Sequence, residues 1–458
     1  MKKYILIILC CLTSFPLWSY NVNMIVEHYS VDQGLPNNTV NCTLKDRDGF
    51  IWFGTWYGLC CFDGVKFKTF NKQEHDSDVP PRKIQRIVED KNGYIWVKTI
   101  DRKLYVFNKV TECFHAVYDD MKNYSENIQV IKLQNTAEGD VLLLTKDKNL
   151  LLAGVDEKGQ VTIKILFDSR DEINKHDYTL KHHVLCETEE YISWIGTDYK
   201  VSAVHKGAEL ASRPADFITS KINSGDKDSF TSFFEDGRKV WVGDRAGIFY
   251  SIDVRTGLVN RYVLSEIKGA ISNLLVTPAG YVYLSVAGQG TYEYDLAERR
   301  LQKINTEMND AMVTHAFIDQ YDKIWFHENE KALIYYDPLN HTAKRFPFTM
   351  FGKITTLYSE DAGERGLFFL SPAGEAWLFD REHAEMVYIN KLKQLSNDRA
   401  NQQFYHLMLD NDGVLWLSSA DEGVYCMNFP KKQFNLLSLS PQSAGQENYT
   451  IGVRALFQ

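Results

Sequence analysis

The chain has 458 residues, a formal net charge of -9, 44% hydrophobic and 13% aromatic residues. That is a globular composition with ample material for a core, and 11 prolines without any low-complexity tract exclude a disordered chain. Basic residues are dispersed among acidic ones, which speaks against a nucleic-acid partner, since phosphate binding needs them clustered.

Residues 1–20 differ from everything after them. Lys2 and Lys3 precede an apolar run from Tyr4 to Trp18, and Ser19 offers a small residue for cleavage, the pattern of a secretory signal. The mature, exported protein is expected to begin near Tyr20. Six cysteines then remain: Cys42, Cys60, Cys61, Cys113, Cys186 and Cys426. No C-x-x-C pair exists, so no zinc site is expected. Most lie in apolar strand patterns, where Cys is a small buried hydrophobe, and no disulfide is assigned.

Met24 to Val31 reads as an outer strand closing a ring of repeats. The repeat itself is clearest at Gly49 to Phe70, G-F-I-W-F-G-T-W-Y-G-L-C-C-F-D-G-V-K-F-K-T-F. Trp52, Trp96, Trp194, Trp241, Trp325 and Trp416 recur at intervals of 44, 98, 47, 84 and 91, and all but Trp194, which follows Ser193, sit between apolar residues. The long intervals are close to twice the short ones. Copies without the Trp fill the gaps at Gly139–Leu142, Gly280–Tyr283 and Gly366–Phe368. Each copy predicts an apolar-alternating strand, a polar turn, the Trp strand, a short loop, a third strand and a more polar fourth. Asp46-Arg47-Asp48-Gly49 and Asp410-Asn411-Asp412-Gly413 show the turn chemistry: Asp caps, and Gly supplies a positive φ.

Four short strands in about 45 residues, repeated, define a β-propeller blade. Phe50-Ile-Trp-Phe53 is apolar on both faces, as a strand sandwiched between neighbouring blades must be. The expected fold is therefore all-β, with about nine repeats of four-stranded blades. The expected partition is a signal over 1–20, a complete seven-bladed ring over 21–345 and the start of a second propeller over 346–458. Val453–Gln458 matches the first strand of a tenth copy, so the chain reads as the front portion of a longer product.

V-D-Q-G-L-P-N-N-T-V (Val31 to Val40), D-R-D-G-F-I-W-F-G-T-W-Y-G-L and F-D-G-V-K-F-K-T-F resemble the two-component regulator propeller repeat. The arrangement is similar to the periplasmic sensor region of hybrid two-component system histidine kinases. That resemblance implies a periplasmic module that recognises an oligosaccharide and controls a downstream histidine kinase. It also implies a homodimer through the full-length sensor and an inner-membrane anchor outside this chain. No histidine-box helix, nucleotide-binding motif or receiver pattern is found in the sequence. The competing readings are a propeller enzyme, a polysaccharide lyase or hydrolase, and a protein-interaction scaffold.

D-R-D-G and D-N-D-G begin like calcium loops, but apolar strands follow at once where further oxygen ligands are needed. There is no H-E-x-x-H and no G-x-S-x-G. No catalytic residue, metal or cofactor is therefore expected, and no enzyme activity within this chain. The candidate ligand surface is the set of loops following the Trp strands, which a propeller gathers at one mouth. It supplies Trp56, Tyr57, Arg102, Asp198, Tyr199, Arg245, Gln289 and His327, aromatic platforms with polar partners that suit a sugar. Trp52, by contrast, is expected in the core. Trp52→Ala should cost about 3–5 kcal/mol in a denaturant titration, and a loss near zero would refute its burial.

Overall fold

The computed structural model describes residues 25–428 except 71–79, 122–128, 147–148, 168–179, 189, 197–199, 208–216, 222–229, 305–312, 329–330, 352–357, 362–365, 372–373 and 393–403. The signal and the tenth copy lie outside these residues. Nine four-stranded antiparallel sheets are formed among them, one per predicted repeat. Blades 1 to 8 occupy residues 40–70, 84–116, 130–167, 180–221, 230–263, 271–303, 313–347 and 358–391. Blade 9 combines 404–428 with the strand Ile25–Tyr29, which pairs with Val424–Asn428 as the outermost strand. First strands touch at the junctions of blades 1 and 2, 2 and 3, 5 and 6, 6 and 7, 8 and 9, and 9 and 1, and so line the inner wall there.

Apolar clusters join each blade to the next. Trp52 of blade 1 packs with Ile84, Val97 and Phe107 of blade 2, and Trp325 of blade 7 packs with Leu367, Phe369 and Phe379 of blade 8. The circuit closes where Trp416 of blade 9 meets Leu35, Phe53 and Phe62. Trp52, Trp96, Trp241, Trp325 and Trp416 are all buried, as the two-sided apolar pattern requires. The packing runs straight through 345/346, where the sequence reading places the end of a seven-bladed ring, and Ile25–Tyr29 closes on the ninth sheet. The physical reason is that every junction is made of the same residue types, so the repeats fix a blade but carry no mark of where a ring ends.

One contact recurs at the turn between first and second strands. The Trp52 indole N–H donates to Asp46 Oδ2 at 2.7 Å, and Asp46 Oδ1 accepts from the amides of Asp48 (3.0 Å) and Phe50 (2.9 Å). Asp90–Trp96 (2.9 Å), Asp236–Trp241 (2.7 Å), Asp319–Trp325 (3.2 Å) and Asp410–Trp416 (3.0 Å) repeat it. Gly49, at φ 92°, closes the first of these turns. In blades 3 and 6, where Leu142 and Tyr283 replace the Trp, Thr136 and Thr277 replace the Asp; their hydroxyls accept from the Asp140 and Tyr281 amides, and that of Thr277 also donates to Tyr281 O.

Cations staple the same face. Lys109 of blade 2 reaches Asp46 (3.0 Å) and Asp48 (2.7 Å) of blade 1 and Glu89 (2.8 Å) of its own blade. Arg381 of blade 8 likewise bridges Asp319 (2.8 Å) and Asp361 (2.7 Å), and Lys206 of blade 4 bridges Glu138 (2.9 Å) and Glu187 (2.5 Å). Asp46, Asp48 and Glu89 lie close enough together to suggest a metal site. The Lys109 ammonium already fills that position. Lys109→Met should therefore cost about 3–5 kcal/mol in urea, because it strands buried carboxylates. Lys68→Met, which breaks an exposed pair with Glu112, should cost under about 1 kcal/mol. Adding Ca²⁺ should leave the wild-type midpoint unmoved; a stabilisation would show that the lysine can be displaced.

Candidate ligand site at the channel mouth

Trp56 and Tyr57 form the turn between the second and third strands of blade 1 and are 41% and 64% exposed. Their backbone is held on every side. The Thr55 hydroxyl donates to Gly58 O (2.8 Å) and accepts from Tyr57 N–H (3.1 Å). Trp56 N–H donates to Thr39 O (3.2 Å), and Trp56 O accepts from Lys83 N–H (3.0 Å). Two large aromatics are thus presented to solvent from a fixed turn, with the Lys83 ammonium 5.3 Å from the Trp56 ring centre.

The same stitching recurs at this mouth. Ile100 N–H donates to Lys83 O, Lys146 N–H to Gln129 O and Ala287 N–H to Ala270 O, each tying a loop to the residue before its own blade's first strand. Arg102 stands in the blade 2 loop at φ 67°, exposed, with its carbonyl accepting from Val130 N–H of blade 3. Arg245 is exposed in the blade 5 turn, which the Asp244 carboxylate caps through Ala246 and Ile248 amides. Gln289 is committed to structure: its amide accepts from Lys268 N–H (2.6 Å) and donates to Glu266 O (3.0 Å). Asp198 and Tyr199 lie outside the described residues.

His327 is a correction. It lies inside the strand Ile324–Glu328, paired with His315 and Leu333, rather than in the loop beyond it. Counting from Trp325, Glu328 takes the place of Thr55 and His327 that of Gly54. Burial, then the nearby His315, push its pKa below the usual imidazole value.

The wall of the channel has its own order, which inspection of loops missed. The first strand of blades 1, 2, 3, 5, 6, 7 and 9 carries a bulge after its first residue. The residues just past it are Cys42, Arg86, Lys132, Ser232, Asn273, His315 and His406. A cavity of about 630 Å³ runs along this wall at blades 5 to 7, with Ser232, Asn273 and His315 among its lining. A charged residue interrupting an apolar first strand, as in I-Q-R-I-V and V-I-K-L-Q, was the available signal. The thiols of Cys42, Cys60, Cys61 and Cys426 are pushed up to about 12, chiefly by burial, and none is in a disulfide.

Residues 34–57 match the family model described as two component regulator propeller. No curated protein matches the chain. Among solved structures, the chain is similar to extracellular domains of two proteins assigned as hybrid two component systems from B. thetaiotaomicron. The first is 14% identical, with TM-score 0.35, covering 87% of this chain and 65% of that one. The second is also 14% identical, with TM-score 0.34, covering 87% and 58%. It is also similar to the virginiamycin B lyase of Staphylococcus aureus, at 8% identity and TM-score 0.33, covering 67% and 96%. The chain spans about two thirds or less of the length of the sensor domains it resembles. No helix among the described residues is long and apolar enough to cross a membrane.

The wall titrates in a defined direction. Burial, with the Arg86 charge adding, pushes the His406 imidazole down to about 4. An unfolded chain takes up that proton near pH 6.5, the folded one only near 4. Between those values the unfolded state holds more protons, so stability falls as pH drops through the window. His406→Gln should flatten the decline in urea midpoints between pH 6.5 and 4; an unchanged slope would mean that the folded protein protonates His406 in place.

Proposed function

We propose that this chain is the ligand-binding propeller of an exported, periplasmic sensor of the two-component type, and that its ligand is an oligosaccharide. The observation that carries the reading is the Trp56–Tyr57 turn: two exposed aromatics on a fully hydrogen-bonded loop, within the stretch that matches the regulator propeller repeat. Sugars present apolar ring faces to such platforms and hydroxyl edges to polar neighbours. Arg102, Arg245 and the polar channel wall stand ready as those neighbours.

Signalling follows from linkage. A ligand alters a downstream histidine kinase only by binding one arrangement of the sensor more tightly than another. The kinase, the membrane anchor and any homodimer contact belong, in this reading, to segments outside the described residues. The chain itself binds without transforming its ligand. Isothermal titration against plant, host and microbial glycan oligomers should give a binder whose affinity falls at least about tenfold in Trp56→Ala, some 1.4 kcal/mol. Silence across the panel would reject the reading, and shortened or unsaturated products in the cell would assign a hydrolase or lyase instead.

A further inference from the structure

We infer that the mouth over blades 1 and 2 selects an anionic saccharide, one carrying carboxylate or sulfate groups. The inference rests on the saccharide-sensor reading above and adds the charge of the ligand.

Arg86 and Lys98 are direct partners across neighbouring strands, an arrangement in which like charges repel. Lys98 is 7% exposed. Its ammonium donates to Gln85 Oε1 (2.8 Å) and Ile131 O (2.5 Å), both neutral acceptors. Burial first, then Arg102 and Arg86, lower its pKa to about 8. Arg86 is exposed, and its charge is felt at Cys42 in blade 1 and His406 in blade 9, which puts it where the inner strands converge.

Among the described residues no carboxylate pairs with Arg86, Lys98 or Arg102. The one acid in their loop, Asp101, accepts from the Thr99 hydroxyl and sits 3.5 Å from Lys103. This is unusual for the molecule, whose net charge is -9. On the opposite face Lys109, Lys206 and Arg381 are each set between two or more acids. Cations are matched where blades are stapled, whereas Arg86, Lys98 and Arg102 at this part of the mouth have no carboxylate partner among the described residues.

An incoming anion would relieve that repulsion and supply the missing partner. Guanidinium groups grip carboxylate or sulfate in a two-pronged fashion, while Trp56 and Tyr57 take the ring face. A neutral sugar would satisfy the platform but leave the cations repelling one another.

The test uses the full chain and three probes: a galacturonic acid trimer, a sulfated galactose disaccharide and a neutral galactose trimer. Arg86→Gln and Arg102→Gln change exposed side chains, so folding should persist, and circular dichroism checks this. We expect an acidic probe to bind, each variant to weaken it at least about tenfold, and affinity to fall as salt rises from about 50 to about 300 mM. Which acidic arm responds tells carboxylate from sulfate. If the neutral trimer binds as well as the acids and Arg86→Gln alters none of them, this inference fails while the saccharide reading stands. If no saccharide binds, here or in the wider glycan panel, both fall.

Discussion

Among the described residues, five of the nine blades turn on an aspartate that holds an indole, and in four of them that aspartate is buried. One Asp46 oxygen fixes the turn by accepting two amides, and the other receives the Trp52 N–H in the middle of the sheet. A hydrogen bond to a charged acceptor is worth about 1.5–3 kcal/mol, and removing either partner would strand the other in a dry interior. The contact ties the tightest local element, a four-residue turn, to the largest side chain in the blade. Because the same Trp packs on the next blade, turn geometry and ring assembly become a single requirement. The substitution is not strict: Thr136 precedes Leu142 and Thr277 precedes Tyr283 by six residues, and Thr188 precedes Trp194 by the same spacing.

A carboxylate so deeply placed needs a countercharge, and the neighbouring blade provides it. Lys109 and Arg381 stand just past the third strand of their blades and reach back to the aspartate of the blade before. The staple thus crosses the junction that the apolar clusters fill. Burying charge this way adds little net stability, but it penalises misplaced blades, since a slipped junction would leave both carboxylate and cation unpaired. The acidic triad near Lys109 looks like a cation site because it is one, occupied by the protein's own ammonium.

Much of this was legible in the sequence. The Trp spacing marks the repeat, the Asp-x-x-Gly turns mark the strand boundaries, and Met24 to Val31 reads as an outer strand, which Ile25–Tyr29 forms against Val424–Asn428. The indole clamp was also there to be read, as an Asp six residues before each of four tryptophans and five before Trp241. The apolar cluster at 345/346 is built from the same residue types as those at other junctions, so the residues there carry no mark of a ring boundary. His327 was misplaced by two positions, since the strand runs on to Glu328 before the loop begins. Arg86 and Lys98 escaped notice because they lie 12 residues apart, and only strand register puts them opposite one another.

The two faces therefore obey different electrostatic rules, and that contrast is the strongest structural argument about what the molecule is for. Stability requires each buried charge to be matched, and the turn face complies in blades 1, 2, 4, 7 and 8. At the loop mouth the loops of blades 1, 2, 3 and 6 are stitched by their backbone to the residue before their own first strand, while Arg86, Lys98 and Arg102 have no carboxylate partner among the described residues. Rigid backbone with unsatisfied side chains is the combination expected of a surface that waits for a partner, because ordering has already been done and only pairing remains. A surface serving only to cap the barrel would have no reason to hold Arg86 against Lys98, or to fix Trp56 and Tyr57 in solvent.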